Sequence, residues 1–347
     1  MTTDEKYMSR CIQLACNGRC STPPNPMVGA VIVQNGKIIG EGYHVKCGEG
    51  HAEVNAIRSV KDEALLKSAT IYVSLEPCSH YGKTPPCADL IIRKGIPRVV
   101  VGCMDPFPLV AGRGIRKLRD AGVEVKVGVL EEQCKALIRR FVVFNTLHRP
   151  YVTLKWAQSA DGFMDAVRVS GTPAKLSTLY SSQCVHKQRA EHQAILVGTN
   201  TARLDNPSLT ARLWSGNNPL RLVIDRKGAL PQSLALFDGK VPTWAFVENA
   251  SRKIDLPNVS YRQLDFREDV LPQICRLLYE QKLQSMLVEG GSRLLQSFLD
   301  AGLWDEIYVE HASKLLYKGV ETPVVPHGIA SEVLWRGGVP VIRYWKS

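Results

Sequence analysis

The 347-residue chain is long enough for two domains that each bury a core, and at 45% hydrophobic and 22% charged residues it is neither a disordered tail nor a fibrous repeat. Ten cysteines are too sparse for a disulfide scaffold, which leaves metal binding or catalysis as the reason for any cluster among them. Lys and Arg outnumber Asp and Glu by 44 to 33, a net charge of +11 that calls for an anionic partner to be considered.

That excess is spread along the chain: 21 basic against 14 acidic side chains over residues 1–149 (+7), and 23 against 19 over residues 150–347 (+4). Such a spread suits a phosphorylated small molecule at least as well as a polymer. Met1 to Arg10 carries Asp4, Glu5, Lys6 and Arg10 with no apolar core behind it, unlike a secretory signal. No apolar run approaches the roughly eighteen residues of a membrane span, so the expected setting is the cytoplasm, without a membrane partner.

In chain order, Tyr7, Met8, Cys11, Ile12, Leu14 and Ala15 share one helical face, with Thr3 or Asp4 as N-cap and Gly18 as stop. Runs at Val28 to Val33 and Ile38 to Tyr43 flank Asn35-Gly36, a pair suited to a two-residue hairpin turn. Apolar runs at Thr70 to Leu75, Arg98 to Met104 and Val123 to Val127 read as buried strands, alternating with helices near 52–60, 88–94 and 114–121. A helix over 130–147 ends at Pro150, which disfavours helix at the residue before it. This sets the expected boundary, residues 1–149 against 150–347. Alternation then restarts, with strands at 151–156, 194–197, 220–225, 243–247, 286–289 and 306–310 and helices near 177–190, 269–281 and 292–301. Both halves read as α/β.

The strongest constellation is His51-Ala52-Glu53 followed by Pro77-Cys78, eight further residues and Cys87. One imidazole and two thiolates suit a single tetrahedral Zn²⁺, and three protein ligands leave the fourth position to water, as in catalytic sites. Glu53, near the metal without binding it, is placed to carry protons between that water and a leaving group. The eight other cysteines, Cys11, Cys16, Cys20, Cys47, Cys103, Cys134, Cys184 and Cys275, are read as packing residues.

The H-x-E and P-C signature resembles that of the cytidine-deaminase-like superfamily, which usually spaces its paired cysteines by two residues. The longer insert here, Ser79-His80-Tyr81-Gly82-Lys83-Thr84-Pro85-Pro86, resembles that of the riboflavin-biosynthesis deaminases. That resemblance implies a three-layer α/β/α domain in which His80, Lys83, Asn25 and His44 contact a phosphorylated pyrimidine.

Past Pro150 the resemblance continues through Lys155-x-Ala157-x-Ser159-x-Asp161-Gly162, His186-x-x-Arg189-Ala190 and Gly198-Thr199-x-Thr201-x-x-x-Asp205-Asn206-Pro207-x-Leu209-Thr210-x-Arg212. These motifs are similar to the reductase half of the bifunctional riboflavin deaminase-reductases, a dihydrofolate-reductase-like α/β domain that uses NADPH. Read independently, Lys155, Asp205, Arg189 and Arg212 could pair with one another and hold a sugar phosphate through the guanidinium forks, although each alone is more often a surface charge. Glu289-Gly290-Gly291-Ser292, between an apolar strand and a helix, would put backbone N–H groups beside an anion. The resemblance implies that Lys155 and Asp205 are catalytic, and that Arg189, Leu209, Arg212 and Glu289 bind substrate. It implies that Ala157, Lys175, Thr201, Asp205, Gly291, Ser292 and Arg293 bind cofactor. The chain departs from the family pattern at Pro173 and at Lys175-Leu176-Ser177, where a Ser and a Trp-led triplet are common. Association as a homodimer or homotetramer is likewise implied.

The motifs therefore predict zinc-dependent deamination followed by NADPH-dependent reduction, with no nucleic-acid partner. Two other readings stay open on sequence: a nucleic-acid base deaminase, favoured by the +11 charge, and a deaminase carrying a non-catalytic C-terminal assembly domain.

Overall fold

A computed structural model of the chain describes residues 1–81, 85–106, 111–168, 172–252 and 256–346. It forms two compact units, Met1–His148 and Arg149–Ser347.

The first unit runs α1 (Thr3–Ala15), β1 (Gly29–Gln34), β2 (Lys37–Tyr43), α2 (Ala52–Arg58), β3 (Thr70–Leu75), α3 (Cys87–Arg93), β4 (Arg98–Cys103), α4 (Arg113–Asp120), β5 (Glu124–Val127) and α5 (Glu131–Leu147). Its sheet has the order β2-β1-β3-β4-β5, antiparallel at the β1 pairings and parallel from β3 to β5. Alternate residues feed two cores. Ala30, Ile32, Ile71, Val73, Val99 and Val101 meet α2, α3 and α4 on one face, while Val31, Tyr72, Val100 and Cys103 meet α1 and α5 on the other. Burial on both faces is why these strands read as unbroken apolar runs. Asn35 (φ 49°) and Gly36 (φ 74°) make the left-handed turn that the β1–β2 hairpin needs. Helix α1 starts one residue earlier than the sequence suggests: Thr2 accepts the Glu5 N–H, and Glu5 closes a reciprocal capping box.

The second unit contains β6 (Tyr151–Gln158), β7 (Phe163–Ala166), α6 (Leu179–Ala190), β8 (Ala194–Val197), α7 (Thr199–Asp205), β9 (Leu220–Ile224), β10 (Thr243–Val247), β11 (Val259–Gln263), α8 (Val270–Glu280), β12 (Ser285–Val288), α9 (Ser292–Asp300), β13 (Glu306–His311), β14 (Gly319–Glu321), β15 (Ala330–Arg336) and β16 (Val339–Trp345). The main sheet has the order β11-β10-β9-β8-β12-β6-β13-β16-β15. It is parallel as far as β13 and closes with an antiparallel hairpin turned at Gly337-Gly338. Helices α8 and α9 cover one face through Leu271, Ile274, Leu278, Leu295 and Phe298. The strands β7, β11, β14, β15 and β16 and the helix α7 are additions to the sequence reading. In β15 every second residue is exposed, which leaves no continuous apolar run to find.

Asp4, at the start of α1, ties that helix to the sheet by accepting from the Tyr72 hydroxyl, the Arg98 guanidinium and the Lys126 ammonium. Burial alone would raise its pKa, but Arg98, Lys126 and Tyr72 outweigh that and bring it to about 2 from 3.8. A carboxylate with a depressed folded pKa adds stability above its unfolded value and loses it as pH falls through the folded one. Asp4→Asn should therefore cost about 2 kcal/mol in urea unfolding at pH 7, and the difference from wild type should shrink as pH drops from 4 towards 2.

Candidate zinc and reductase sites

Helix α2 lies directly on β2: a Cβ added at Gly42 would come 2.3 Å from the Ala56 nitrogen. That closeness presents the N-terminus of α2 at the end of the sheet, with His51 as N-cap and Glu53 in the first turn. Cys78 follows the end of β3, and Cys87 opens α3. The His51 Nδ1 stands 3.6 Å from the Cys78 Sγ and 3.4 Å from the Cys87 Sγ, and the three ligand atoms all lie within 4.8 Å of one another. Tetrahedral zinc with ordinary Zn–N and Zn–S bonds puts N and S about 3.5 Å apart, so the donor set and its spacing fit the ion. Among the described residues no other group of His, Cys, Asp and Glu is close enough to hold a metal.

Electrostatics agree with that use. Hydrogen bonding with Cys87, then with His51 and the Cys87 backbone N–H (3.2 Å), draws the Cys78 thiol down to about 4. The hydrogen bond with Cys78, then burial and the charge on Glu53, push the Cys87 thiol upward. Two thiols that share one proton this way are relieved by a divalent cation. Glu53 is 3% exposed, and burial, then the neighbouring Cys78, raise its pKa to about 7. A carboxyl so poised both takes and returns a proton near neutral pH.

Asn25 and His44 meet beside this cluster. The Asn25 Nδ2 donates to the His44 Nε2 (3.1 Å), and the His44 Nδ1 donates to the Gly50 carbonyl (3.1 Å), which fixes a neutral tautomer. Burial lowers the His44 pKa and keeps it so. Its ring stands edge-on to His51 at 5.5 Å between centroids. His80 is exposed, and Lys83 lies outside the described residues. Glu76 escaped the sequence reading although it immediately precedes Pro77-Cys78. Its buried carboxylate accepts the N–H groups of Asp105, Gly112, Gly114 and Ile115, joining the base of the Cys78 segment to the start of α4.

In the second unit two clefts meet at Glu289. One, of about 830 Å³, is lined by Thr201, Asp205, Gly291, Ser292 and Arg293, together with Arg168, Pro173 and Ala174. The other, of about 460 Å³, is lined by Lys155, Lys175, Ser177, His186, Arg189 and Arg212. Glu289 lines both. Gly290 has φ +124°, open to glycine but not to other residues, and a Cβ on Gly291 would approach the Thr201 Oγ1 to 3.2 Å. The backbone thus makes a shallow cradle at the N-terminus of α9, and the Arg168 Nη1 in the same cleft is buried without a partner among the described residues. An elongated anionic cofactor fits such a lining.

Arg189 and Glu289 form a bidentate pair at 2.6 and 2.8 Å. Burial opposes ionisation of Glu289, but Arg189 prevails and the carboxylate pKa is lowered. Burial pulls the Lys155 ammonium below its usual range against the opposing pull of Glu289 and Glu310. Burial, reinforced by Arg189 and Arg212, brings His186 down to about 4.

Three expected positions differ. Lys175, expected with the cofactor, lines the smaller, cation-rich cleft with Arg189 and Arg212. Leu209, expected at the substrate, is 1% exposed and packs with Ile195, Val197 and Ala202, so its side chain belongs to the core. Ala157 lies in β6 opposite Glu310 and lines neither cleft. Asp205 is paired with Arg168, which Asp165 also holds at 2.5 Å. Neither Arg168 nor Glu310 was marked by the sequence reading. The signal for Glu310 is an acidic residue inside an apolar strand.

Residues 1–103 match the family model for the cytidine and deoxycytidylate deaminase zinc-binding region, and residues 150–336 match that for the RibD C-terminal domain. The riboflavin biosynthesis protein RibD of Aquifex aeolicus is 41% identical over 320 residues, 91% of this chain and 89% of that protein. Its counterpart from Bacillus amyloliquefaciens is 42% identical over 320 residues, 90% of this chain and 85% of that one. The crystal structure of a diaminohydroxyphosphoribosylaminopyrimidine deaminase/5-amino-6-(5-phosphoribosylamino)uracil reductase from Thermotoga maritima superposes with a TM-score of 0.90 at 37% identity, covering 99% of each chain.

Replacing Cys87 by Ser should reduce bound zinc from one ion per chain to well below half in atomic emission of the purified protein. Glu53→Gln, which removes no ligand, should leave the metal content at one.

Proposed function

The chain belongs to the family of bifunctional riboflavin-biosynthesis deaminase-reductases, and from that membership we propose that it performs both reactions named for its Thermotoga maritima relative. Residues 1–149 hydrolyse the amino group of 2,5-diamino-6-ribosylamino-4(3H)-pyrimidinone 5′-phosphate. Residues 150–347 then reduce 5-amino-6-(5-phosphoribosylamino)uracil to the ribitylamino product. Eight residues of the first unit carry the first step. His51, Cys78 and Cys87 hold zinc, which when bound supplies an acidified water as nucleophile. Glu53 takes a proton from that nucleophile and returns it to the amino nitrogen, which leaves as ammonia. Asn25, held by the neutral His44, presents its amide to the pyrimidine, and His80 and Lys83 are assigned to the ribosyl phosphate by their positions in the family motif.

For the second step, the observation that carries the reading is the shared wall at Glu289. NADPH in the larger cleft, against Thr201, Gly291, Ser292 and Arg293, supplies hydride when bound. A ribosyl phosphate in the smaller cleft lies against Arg189, Arg212 and Lys175, whose guanidinium and ammonium groups match phosphate oxygens. Lys155 would give a proton to the ribosylamine nitrogen when the C=N bond at C1 of the opened ribosyl chain is reduced. Asp205, at the edge of the cofactor cleft, orients the nicotinamide. The preference for NADPH over NADH, the cytoplasmic setting, the absence of a nucleic-acid partner and a dimeric or tetrameric assembly belong to this same proposal. Among the described residues no helix is long and apolar enough to cross a membrane.

The test follows ammonia and NADPH absorbance together on the diaminopyrimidinone ribosyl phosphate. Ammonia release should precede NADPH oxidation, and a zinc chelator should abolish both, the second for want of substrate. Glu53→Gln should slow ammonia release by about 100-fold or more. Lys155→Ala should leave ammonia release intact and slow NADPH oxidation of supplied aminouracil substrate by a similar factor. Ammonia without NADPH oxidation in the wild type would make the second unit a non-catalytic assembly module. No ammonia, with salt-dependent binding of single-stranded RNA, would point to a nucleic-acid base deaminase.

A further inference from the structure

Lys155 is followed through the sheet to an acidic neighbour that the reductase reading leaves unused. Strands β6 and β13 are parallel, with Lys155 opposite Tyr308 and Ala157 opposite Glu310. Lys155 and Glu310 are therefore diagonal neighbours on one face. The Glu310 Oε2 lies 3.9 Å from the Lys155 Nζ. Glu310 is 2% exposed, and its Oε1 has no hydrogen-bond partner among the described residues. A buried carboxylate with an idle oxygen is costly unless a charge answers it, and Lys155 is the cation within reach.

We propose that Glu310 is a positioning residue of the reductase site, holding the Lys155 ammonium protonated and aimed into the smaller cleft. The inference rests on the reading that Lys155 serves the reduction. The other charges acting on Lys155 are Glu289 after β12, Arg189 on α6 and Arg336 on β15, the last stacked over the Tyr308 ring at 5.1 Å. His186 and Arg212 line the same cleft. The two carboxylates favour the charged amine and the two arginines oppose it. Removal of one carboxylate tips that balance towards the neutral amine, which has no proton to give.

The experiment is a pH profile of kcat for NADPH oxidation, measured on the full chain with Glu310→Gln, Glu310→Asp and Lys155→Ala. Glu310→Gln should move the alkaline limb down by about one pH unit, which is about a tenfold loss at a pH above that limb, with the deficit narrowing towards acid pH. KM for NADPH and the rate of ammonia release should stay within twofold of wild type. Glu310→Asp, which keeps the charge, should return the limb towards its original position. If the Gln variant does not fold, Glu310→Met, of similar length and without charge, takes its place, and a limb displaced by less than half a unit in that variant overturns the proposal. An inactive Lys155→Ala beside a Glu310→Gln with the wild-type profile overturns the role of Glu310 alone. A fully active Lys155→Ala overturns the reading beneath it and this inference together.

Discussion

Glu53, Glu76, Glu289 and Glu310 are all largely withdrawn from water, and a carboxylate in that position persists only beside a cation, a metal ion or a set of N–H groups. Each meets the requirement differently. Glu76 is surrounded by four backbone N–H groups and serves architecture. Glu289 is gripped by both nitrogens of an arginine fork. Glu53 has neither, so burial and the neighbouring Cys78 keep its proton on up to about neutral pH, beside the residues that would hold a divalent ion. The degree to which the matching is left incomplete separates the groups that stiffen the fold from those that move protons.

The zinc site was legible because its chemistry is local: His51 and Glu53 share one helical turn, and Cys78 and Cys87 bound one loop. Residue type and spacing alone specify the donor set. The strands of the first unit were legible for a related reason, since burial on both faces writes them as continuous apolar runs. The reductase clefts are assembled from segments about a hundred residues apart, as in the pairing of Arg189 with Glu289. No short pattern encodes such a distance, and the roles given to the residues there came from family resemblance.

Resemblance also misplaced side chains. Leu209 occupies its motif position with φ +50° and turns its side chain into the core. Lys175 stands where an aromatic is usual and joins the arginines of the smaller cleft. The hairpin of β15 and β16 hid for a physical reason: an edge strand wet on one side alternates, and Pro340 interrupts its partner. Glu310 is informative by contrast, because an acid inside a buried strand is conspicuous once its neighbour across the sheet is known.

The wall that Glu289 contributes to both clefts ties their evolution together. On the proposed assignment of the two clefts, a change that reshapes one pocket for a different nucleotide alters the surface that meets the sugar in the other, and it also unsettles Arg189. Cofactor preference and substrate preference therefore cannot drift independently in this unit. A lineage that exchanged its reductant would have to pass through variants with a poorer grip on the sugar, unless a second substitution restored the arginine first.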